Sequence, residues 1–426
     1  MQFFLKLKRH LYLIVARYFR FFANLALKRW RPRLIIVTGS AGKTTMLNLI
    51  AAQLGQKAHY SFDANSAFGI PFDILGLSGI TNSRLHWLTL FLKAPWRAFS
   101  VKHPEKFYVV ELDAPRPHTA EFIASWLKPE VSIWVSLGRS HAVFFEDAVK
   151  KGLFKDVDSA IAHEFACIPQ HTQKLVIFDG DNPNIKDALA KLPHFKTPLL
   201  SVQKNQLLSY SVTPAQTTFV FKDHTLSFHD PIPASVATQL LMLKALLSYL
   251  KLPLDPSFKD FIMPPGRGNF FKGKRNLKLI DSTYNAHLIS MSATLEMFRQ
   301  LKAKSKWLVI GDIIDQGSSE ATGHQKLAEL IQKAKPDHLV LVGKRTHRYT
   351  FPALQDAKFT SASFIKPQDA LKYLEQNLQG GETVLFKGSQ YLEWLVEKLL
   401  KDPRDAQYLT RRDAFHTRQR AKWGLK

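Results

Sequence analysis

Short apolar runs that end in small or polar residues recur along the chain, and many are followed by a stretch of helical period. LIIVTGS (34–40) reads as a buried strand running into a glycine turn, and KTTMLNLIAAQLG (43–55) as a helix stopped by Gly55. FYVVELD (107–113), VSIWVSL (131–137), KLVIFDG (174–180), KLIDSTY (278–284), KWLVIGD (306–312), HLVLVGK (338–344) and TVLFKGS (383–389) repeat the strand pattern. Continuous apolar strands with functional groups at their ends are what parallel sheets require, so the chain is read as α/β. The helix-like TQLLMLKALLSYL (238–250) precedes FIMPPGRGNF (261–270), whose prolines and glycines mark a boundary before a fresh α/β series.

The first 30 residues, MQFFLKLKRHLYLIVARYFRFFANLALKRW, follow a different pattern. On a helix, Lys6, His10, Arg17, Arg20, Asn24 and Lys28 fall near one face and large apolar residues cover the rest, until Arg31, Pro32 and Arg33 end it. The uncharged stretches fall far short of the roughly 20 residues a membrane span needs. Two readings stay open: a helix packed on the body of the protein, or one lying in a membrane interface.

Length sets the scale, since 426 residues correspond to about three domains, and 46% hydrophobic with 22% charged residues is an ordinary globular balance. Cys167 is the single cysteine, which excludes an internal disulfide and a cysteine-rich zinc site and suggests a reducing, cytoplasmic setting. The net charge is +24 and gathers at the ends, with nine bases and no acid in residues 1–33. That asymmetry suits an anionic partner. No aromatic and basic recognition module accompanies it, so nucleic acid is not expected.

Gly39, Ser40, Ala41, Gly42, Lys43, Thr44 and Thr45 lie between a strand and a helix and read as a phosphate loop. Glycines let backbone N–H groups approach phosphate oxygens, the helix start adds positive potential, a lysine reaches the outer phosphates and hydroxyls meet Mg²⁺. The two glycines are three positions apart, closer than in the common form. Glu111 ends the next strand, where a magnesium ligand is expected, although solvated strand-end acids are common. His141 follows SLGRS, and an isolated histidine is as readily structural. Together the three look like a nucleotide and metal site.

At this point the chain resembles the ATP-dependent Mur ligase family over residues 34–400, most like its UDP-N-acetylmuramoyl-tripeptide D-alanyl-D-alanine ligase branch. TGSAGKTT resembles the family's short phosphate loop, and DANSAFGIP, from Asp63 to Pro71 with Asn65 retained, resembles its Asn-rich motif. Gly266-Arg267-Gly268, the run IDSTYNAHLISM, GDIIDQG with His324, and FKGSQ with Lys387 and Ser389 resemble its later signatures.

The resemblance implies a P-loop central ATPase domain followed by a Rossmann-like C-terminal ligase domain: a basic amphipathic helix (1–33), a central ATP-binding domain (34–263) and a C-terminal domain with a basic tail (264–426). ATP and Mg²⁺ are then the expected cofactors. Lys43 would hold the outer phosphates, Thr44 or Thr45 with Glu111 one metal ion, and His141 a second. Arg267 would meet the γ-phosphate, and Asp281, Tyr284 and Asn285 would face the nucleotide. Asn65, His324, Lys387 and Ser389 would face substrate. The implied reaction activates a carboxylate as an acyl phosphate and joins it to an amine. The acyl donor would be a muramyl-peptide-like peptidoglycan precursor, and the amine an amino acid or a D-alanyl-D-alanine dipeptide.

Three features depart from the family pattern. Phe165 stands where the family carries a carbamylated lysine, Pro233 and Ala237 stand at its adenine-contacting helix start, and with the phosphate loop beginning at residue 38 the family's UDP-holding domain is expected to be missing. The alternative is therefore a catalytically reduced Mur-like scaffold or partner-dependent subunit in cell-wall synthesis. Either form is expected in the cytoplasm, with the basic start offering a peripheral contact at the inner face of an anionic membrane.

Overall fold

The computed structural model describes residues 2–62, 64–78, 83–389 and 391–425, without the side chains of residues 2–11, Leu13 and Arg84. Asp63 and the side chains of Lys6 and His10 thus lie outside the described residues. The chain folds as two compact units: residues 1–138, 147–203 and 241–253 form one, and residues 139–146, 204–240 and 254–426 the other.

The first unit is built on six parallel strands, β1 (Arg33–Thr38), β2 (Ala58–Tyr60), β3 (Phe107–Leu112), β4 (Val131–Trp134), β5 (Leu175–Asp179) and β6 (Leu199–Val202), in the order β2-β3-β1-β4-β5-β6. Ile35, Ile36, Val37, Val109, Val110 and Ile133 are buried, as expected of strands covered on both faces. β1 has β3 on one side and β4 on the other, with Val37 opposite Glu111 and Thr38 opposite Trp134. Strand order reverses there, so the chain leaving β1 emerges at the crevice where parallel α/β sheets bind ligands.

Five helices of this unit matter below: α1 (Gln2–Trp30), α2 (Lys43–Leu54), α3 (Gly69–Leu75), α4 (Arg84–Ser100) and α5 (Thr119–Leu127). The N-terminal segment is a helix, and it packs on α3 and α4 through Ala16, Phe19, Ala23 and Leu27. Phe19 meets Phe72 and Phe91 edge-on or tilted, with centroids 4.7 and 5.1 Å apart. Polar contacts fix the helix further: Tyr18 Oη donates to the Phe91 carbonyl (2.7 Å), Arg20 to that of Phe122 (3.0 Å) and Arg29 to that of Ala98 (2.9 Å). Among the described residues no helix is long and apolar enough to cross a membrane.

The second unit holds two sheets. The strands β7 (Leu207–Thr213), β8 (Gln216–Phe221) and β9 (Thr225–Phe228) form an antiparallel meander absent from the sequence reading. A six-stranded sheet follows, from β10 (Asn269–Lys272), β11 (Lys278–Ser282), β12 (Lys306–Gly311), β13 (His338–Val342), β14 (Thr360–Phe364) and β15 (Thr383–Lys387), in the order β10-β11-β15-β12-β13-β14. Only its β10 edge is antiparallel. Its two faces are covered by separate apolar clusters, one around Trp307, Phe386 and Leu395, the other around Leu308, Phe298 and Leu327.

Candidate functional site

The phosphate loop sits between β1 and α2. Gly39 has φ 142°, and a Cβ there would come within 2.8 Å of the Ser136 backbone, so only glycine lets the loop pass this close to the end of β4. Gly42 precedes α2 in a left-handed conformation (φ 84°) and supplies no capping side chain, which leaves the first amides of α2 open to an anion. Hydrogen bonds pin the loop on its other side. Ala41 N donates to Ser136 Oγ (2.9 Å), Ser136 Oγ to the Ala41 carbonyl (2.8 Å), and Ser40 Oγ to the Gly138 carbonyl (2.8 Å). The shape is therefore set before any ligand arrives.

Lys43 Nζ folds back over the loop, donating to the Gly39 carbonyl (2.7 Å) and to Asp113 Oδ1 (3.1 Å). Glu111, at the end of β3, is buried, and its backbone N–H donates to Ser61 Oγ (2.9 Å). Thr45 is buried on the first turn of α2, beside Thr44 in sequence. The Asn65 carbonyl accepts from Asp113 N at 3.5 Å, which brings the Asn-rich segment to the same strand end. Lys43, Asp113 and Asn65 are thus joined in one unit, with Glu111 two residues before Asp113. Asp113 was missed in the sequence, although it closes the very run FYVVELD that drew attention to Glu111.

The remaining candidates belong to the second unit. His141 has φ 52° and caps a short turn, with its ring 5.5 Å from that of His287 and Nδ1 3.9 Å from Asp315 Oδ2. Arg267 lies 3.8 Å over the Tyr284 ring, a contact worth about 0.5–2 kcal/mol. Gly266 (φ 71°) allows this approach, since a Cβ would fall 2.8 Å from Tyr284 N. The Tyr284 N–H donates to the Gly266 carbonyl (3.0 Å) and the Gly268 N–H to that of Asp281 (2.7 Å).

Below this turn lies a buried charge cluster. Asp281 Oδ1 accepts from Thr283 N and Oγ1 (3.0 and 2.6 Å), while Oδ2 is buried without a hydrogen-bond partner. Burial pushes the Asp281 carboxyl above its ordinary range. Lys387 donates to the Asn285 carbonyl (2.6 Å), and burial, reinforced by the Arg267 charge, lowers its ammonium to about 7. Arg411 bridges the Thr283 carbonyl (2.8 Å) and Glu393 Oε2 (3.2 Å). Sequence reasoning missed Arg411 and Glu393, whose neighbours in the chain carry no motif.

His324 and Ser389 serve the turn after β12. His324 Nε2 accepts from Ile313 N (3.2 Å) and Nδ1 donates to the Glu320 carbonyl (2.8 Å), so the ring is neutral, and burial lowers its pKa. Ser389 Oγ donates to the Asp312 carbonyl (2.6 Å). Asp312 in turn accepts from the backbone N–H groups of Arg345 and Thr346 (3.1 and 2.8 Å). Both side chains are occupied by main-chain partners and hold that turn in shape.

Of the departing positions, Phe165 is fully buried on the helix Val157–Gln170 and stacks with Trp134 at 6.2 Å. The neighbouring Glu164 points the other way and accepts from the backbone N–H groups of His118 and Ala120 (2.8 and 2.7 Å), fixing the start of α5. Ala237 is buried near the start of the helix Val236–Leu250.

Comparison with known proteins agrees with this architecture. Residues 266–390 match the family model described as Mur ligase, glutamate ligase domain. The chain is 23% identical over 393 residues to the UDP-N-acetylmuramoyl-tripeptide–D-alanyl-D-alanine ligase of Bacillus subtilis (strain 168), covering 89% of this chain and 79% of that one. Its counterpart from Escherichia coli (strain K12) is 24% identical, with 84% and 74% covered. A crystal structure of MurF ligase from Thermotoga maritima in complex with ADP superposes with a TM-score of 0.70 at 19% identity, covering 88% of this chain and 81% of that one. The phosphate loop, the order of the motifs and these likenesses agree: residues 266–390 carry a Mur ligase glutamate ligase domain, and the chain as a whole has the Mur ligase fold.

Proposed function

We propose that the protein joins the carboxyl group of a muramyl-peptide-like peptidoglycan precursor to the amine of an amino acid or of D-alanyl-D-alanine, at the expense of ATP and through an acyl phosphate. The observation that carries this reading is the phosphate loop itself. Gly39 leaves the space that a Cβ would fill, uncapped amides open the start of α2, and Lys43 is held by a carbonyl and a carboxylate that a phosphate would replace. These features fit a nucleotide phosphate.

Thr44 or Thr45 and Glu111 are hard oxygen donors of the kind Mg²⁺ takes, and His141 is assigned to a second ion. Bound there, Mg²⁺ would neutralise phosphate charge as it builds up. The protein's own part is to orient: Lys43 holds the outer phosphates, Arg267 supplies positive charge to the transferred group, and Asp281, with its unpartnered Oδ2, accepts a ribose hydroxyl. Of the four residues expected to face substrate, Asn65 and Lys387 shape the substrate side, whereas His324 and Ser389 keep the turn at 312–313 in place. The test is to mix the protein with ATP, Mg²⁺, muramyl-peptide precursors and a panel of amines, and to read the products by mass. An ATP-dependent amide product supports the reading, and its absence across the panel contradicts it.

A second reading, a catalytically reduced scaffold or partner-dependent subunit, is favoured by Phe165, an apolar core residue where the family has its lysine. Acceptor-stimulated ATP turnover separates the two.

We further place the protein in the cytoplasm with a peripheral contact on an anionic membrane. Support comes from α4 more than from α1 alone. Leu85, Leu88, Leu92, Trp96 and Phe99 are spaced three, four, four and three residues apart, lie on one face, and are 56% to 77% exposed. Lys93 and Lys102 are exposed on α4 and just after it, Arg17, Lys28 and Arg29 are exposed on α1, which packs against α4, and no acidic residue occurs before Asp63. A Leu, Trp and Phe stripe with basic flanks and no acids matches a lipid interface, and each base near an anionic surface adds about 1 kcal/mol.

A further inference from the structure

The β2 edge of the first unit carries a cluster that the ligase reading does not use. His59 lies in the middle of β2, and His103 and Glu105 lie in the loop that enters β3. One ligand atom from each of the three falls within 4.8 Å of the other two. The cluster sits beside the start of β3, whereas the phosphate loop leaves the end of β1, so the two stand at opposite ends of a parallel sheet.

What surrounds the three side chains fixes their chemistry. His103 Nε2 is 2.8 Å from the Ile74 carbonyl, an acceptor only, so Nε2 carries the hydrogen and Nδ1 of the neutral ring keeps its lone pair. His59 Nε2 is 3.1 Å from Asp73 Oδ1, and Asp73 Oδ2 accepts from Tyr108 Oη at 2.6 Å. With Nε2 turned to Asp73, Nδ1 is the ring nitrogen of His59 left for a metal, and because the Asp73 contact raises the His59 pKa, binding there displaces a proton as pH falls. Glu105 Oε2 lies 3.9 Å from His103 Nδ1 and is buried without a hydrogen-bond partner. A buried carboxylate oxygen without a hydrogen-bond partner, 3.9 Å from the His103 lone pair and grouped with a ring nitrogen of His59, is costly to leave so, and a cation would satisfy it.

We propose that His59, His103 and Glu105 bind one divalent transition-metal ion of the zinc class. Two imidazoles and a carboxylate are its favoured borderline donors, and three protein ligands leave a fourth position for water. Asp73 and the Ile74 carbonyl hold the distal nitrogens, the outer contacts that orient metal-binding histidines. At metal–ligand distances of about 2.1 Å, tetrahedral ligands stand about 3.4 Å apart, so the 3.9 Å pair needs to close by about half an ångström and no pair by more than about 1.4 Å.

The site has a structural purpose. Trp30, the last residue of α1, stacks on His103 with centroids 4.1 Å apart, and its Nε1 donates to the Glu105 carbonyl (2.7 Å). An ion held here ties the end of α1, the edge strand β2 and, through Asp73 and Ile74, helix α3 into one joint.

The experiment uses tag-free, chelator-stripped full chain without nucleotide. Titration with Zn²⁺ in a calorimeter is expected to show one tight equivalent per chain, and Co²⁺ to give the visible spectrum of a low-coordinate site. His103→Gln and Glu105→Gln, each checked for native circular dichroism, should weaken binding at least tenfold. Excess Zn²⁺ should raise the Tm of the parent by about 3 °C at a hundred times Kd and leave the variants unmoved. Failure of the parent to take up a stoichiometric ion, or equal uptake by parent and folded variants, overturns the proposal. Neither result bears on ATP turnover, which rests on residues at the other end of the sheet.

Discussion

Lys43 Nζ lies 3.1 Å from Asp113 Oδ1, an ion pair formed across the mouth of the phosphate loop between the first turn of α2 and the end of β3. Asp113 holds the lysine where an outer phosphate would take it, so the two residues should be separable by kinetics. Lys43→Ala should reduce ATP turnover about a hundredfold or more while the far-ultraviolet spectrum is unchanged. Asp113→Asn should lower kcat less than Lys43→Ala does. Near-parental turnover by folded Lys43→Ala would sink the assignment.

Gly39→Ala tests the loop without removing a charge. The added methyl must occupy φ 142° and clash with the Ser136 backbone at 2.8 Å. Loop displacement should weaken nucleotide binding, measured by fluorescence titration, at least tenfold. Gly55→Ala is the control, since a Cβ there meets nothing within 4 Å and only its positive φ adds strain.

Lys387 gives a pH signature. Its folded pKa of about 7 lies below the unfolded value of 10.5, so between these pH values the unfolded chain binds more protons than the folded one. The destabilising contribution is full below pH 7 and is relieved as pH rises toward 10.5. Lys387→Met removes it, so the stability advantage of the variant over the parent should shrink from pH 7 to pH 10 in paired urea melts. A difference independent of pH contradicts the lowered pKa.

The apolar stripe on α4 predicts binding to vesicles. The parent should float with phosphatidylglycerol-containing liposomes at low salt and much less with neutral ones. Leu92→Glu with Trp96→Glu changes only exposed positions and should abolish flotation without lowering Tm. A parent that stays unbound on anionic vesicles at low salt removes the membrane contact from the account.

Much of this was legible in the sequence because parallel strands announce themselves. Runs such as LIIVT, FYVVEL and KWLVIG are buried on both faces, so their apolar character is continuous and their ends stand out. The meander β7–β9 was not legible, since QTTFVF alternates in burial but not in residue type, and TLSF alternates over only four positions. The α4 stripe was hidden for another reason. RLHWLTLFLKAPWRAF mixes apolar residues on all sides, and only packing shows that Leu90, Ala94 and Ala98 face inward and the larger residues face out. Asp113, Arg411 and the His59, His103 and Glu105 cluster depend on neighbours far apart in sequence, which no local pattern reveals.

The central claim is that the acyl donor's carboxylate attacks the γ-phosphate of ATP before the amine arrives. A donor carrying a heavy-oxygen label in that carboxylate, turned over with ATP and amine, tests it directly by mass analysis of the released phosphate. The account predicts one labelled oxygen in each phosphate formed, in step with amide product. Amide product accompanied by unlabelled phosphate, or ATP hydrolysis indifferent to the donor, would contradict it.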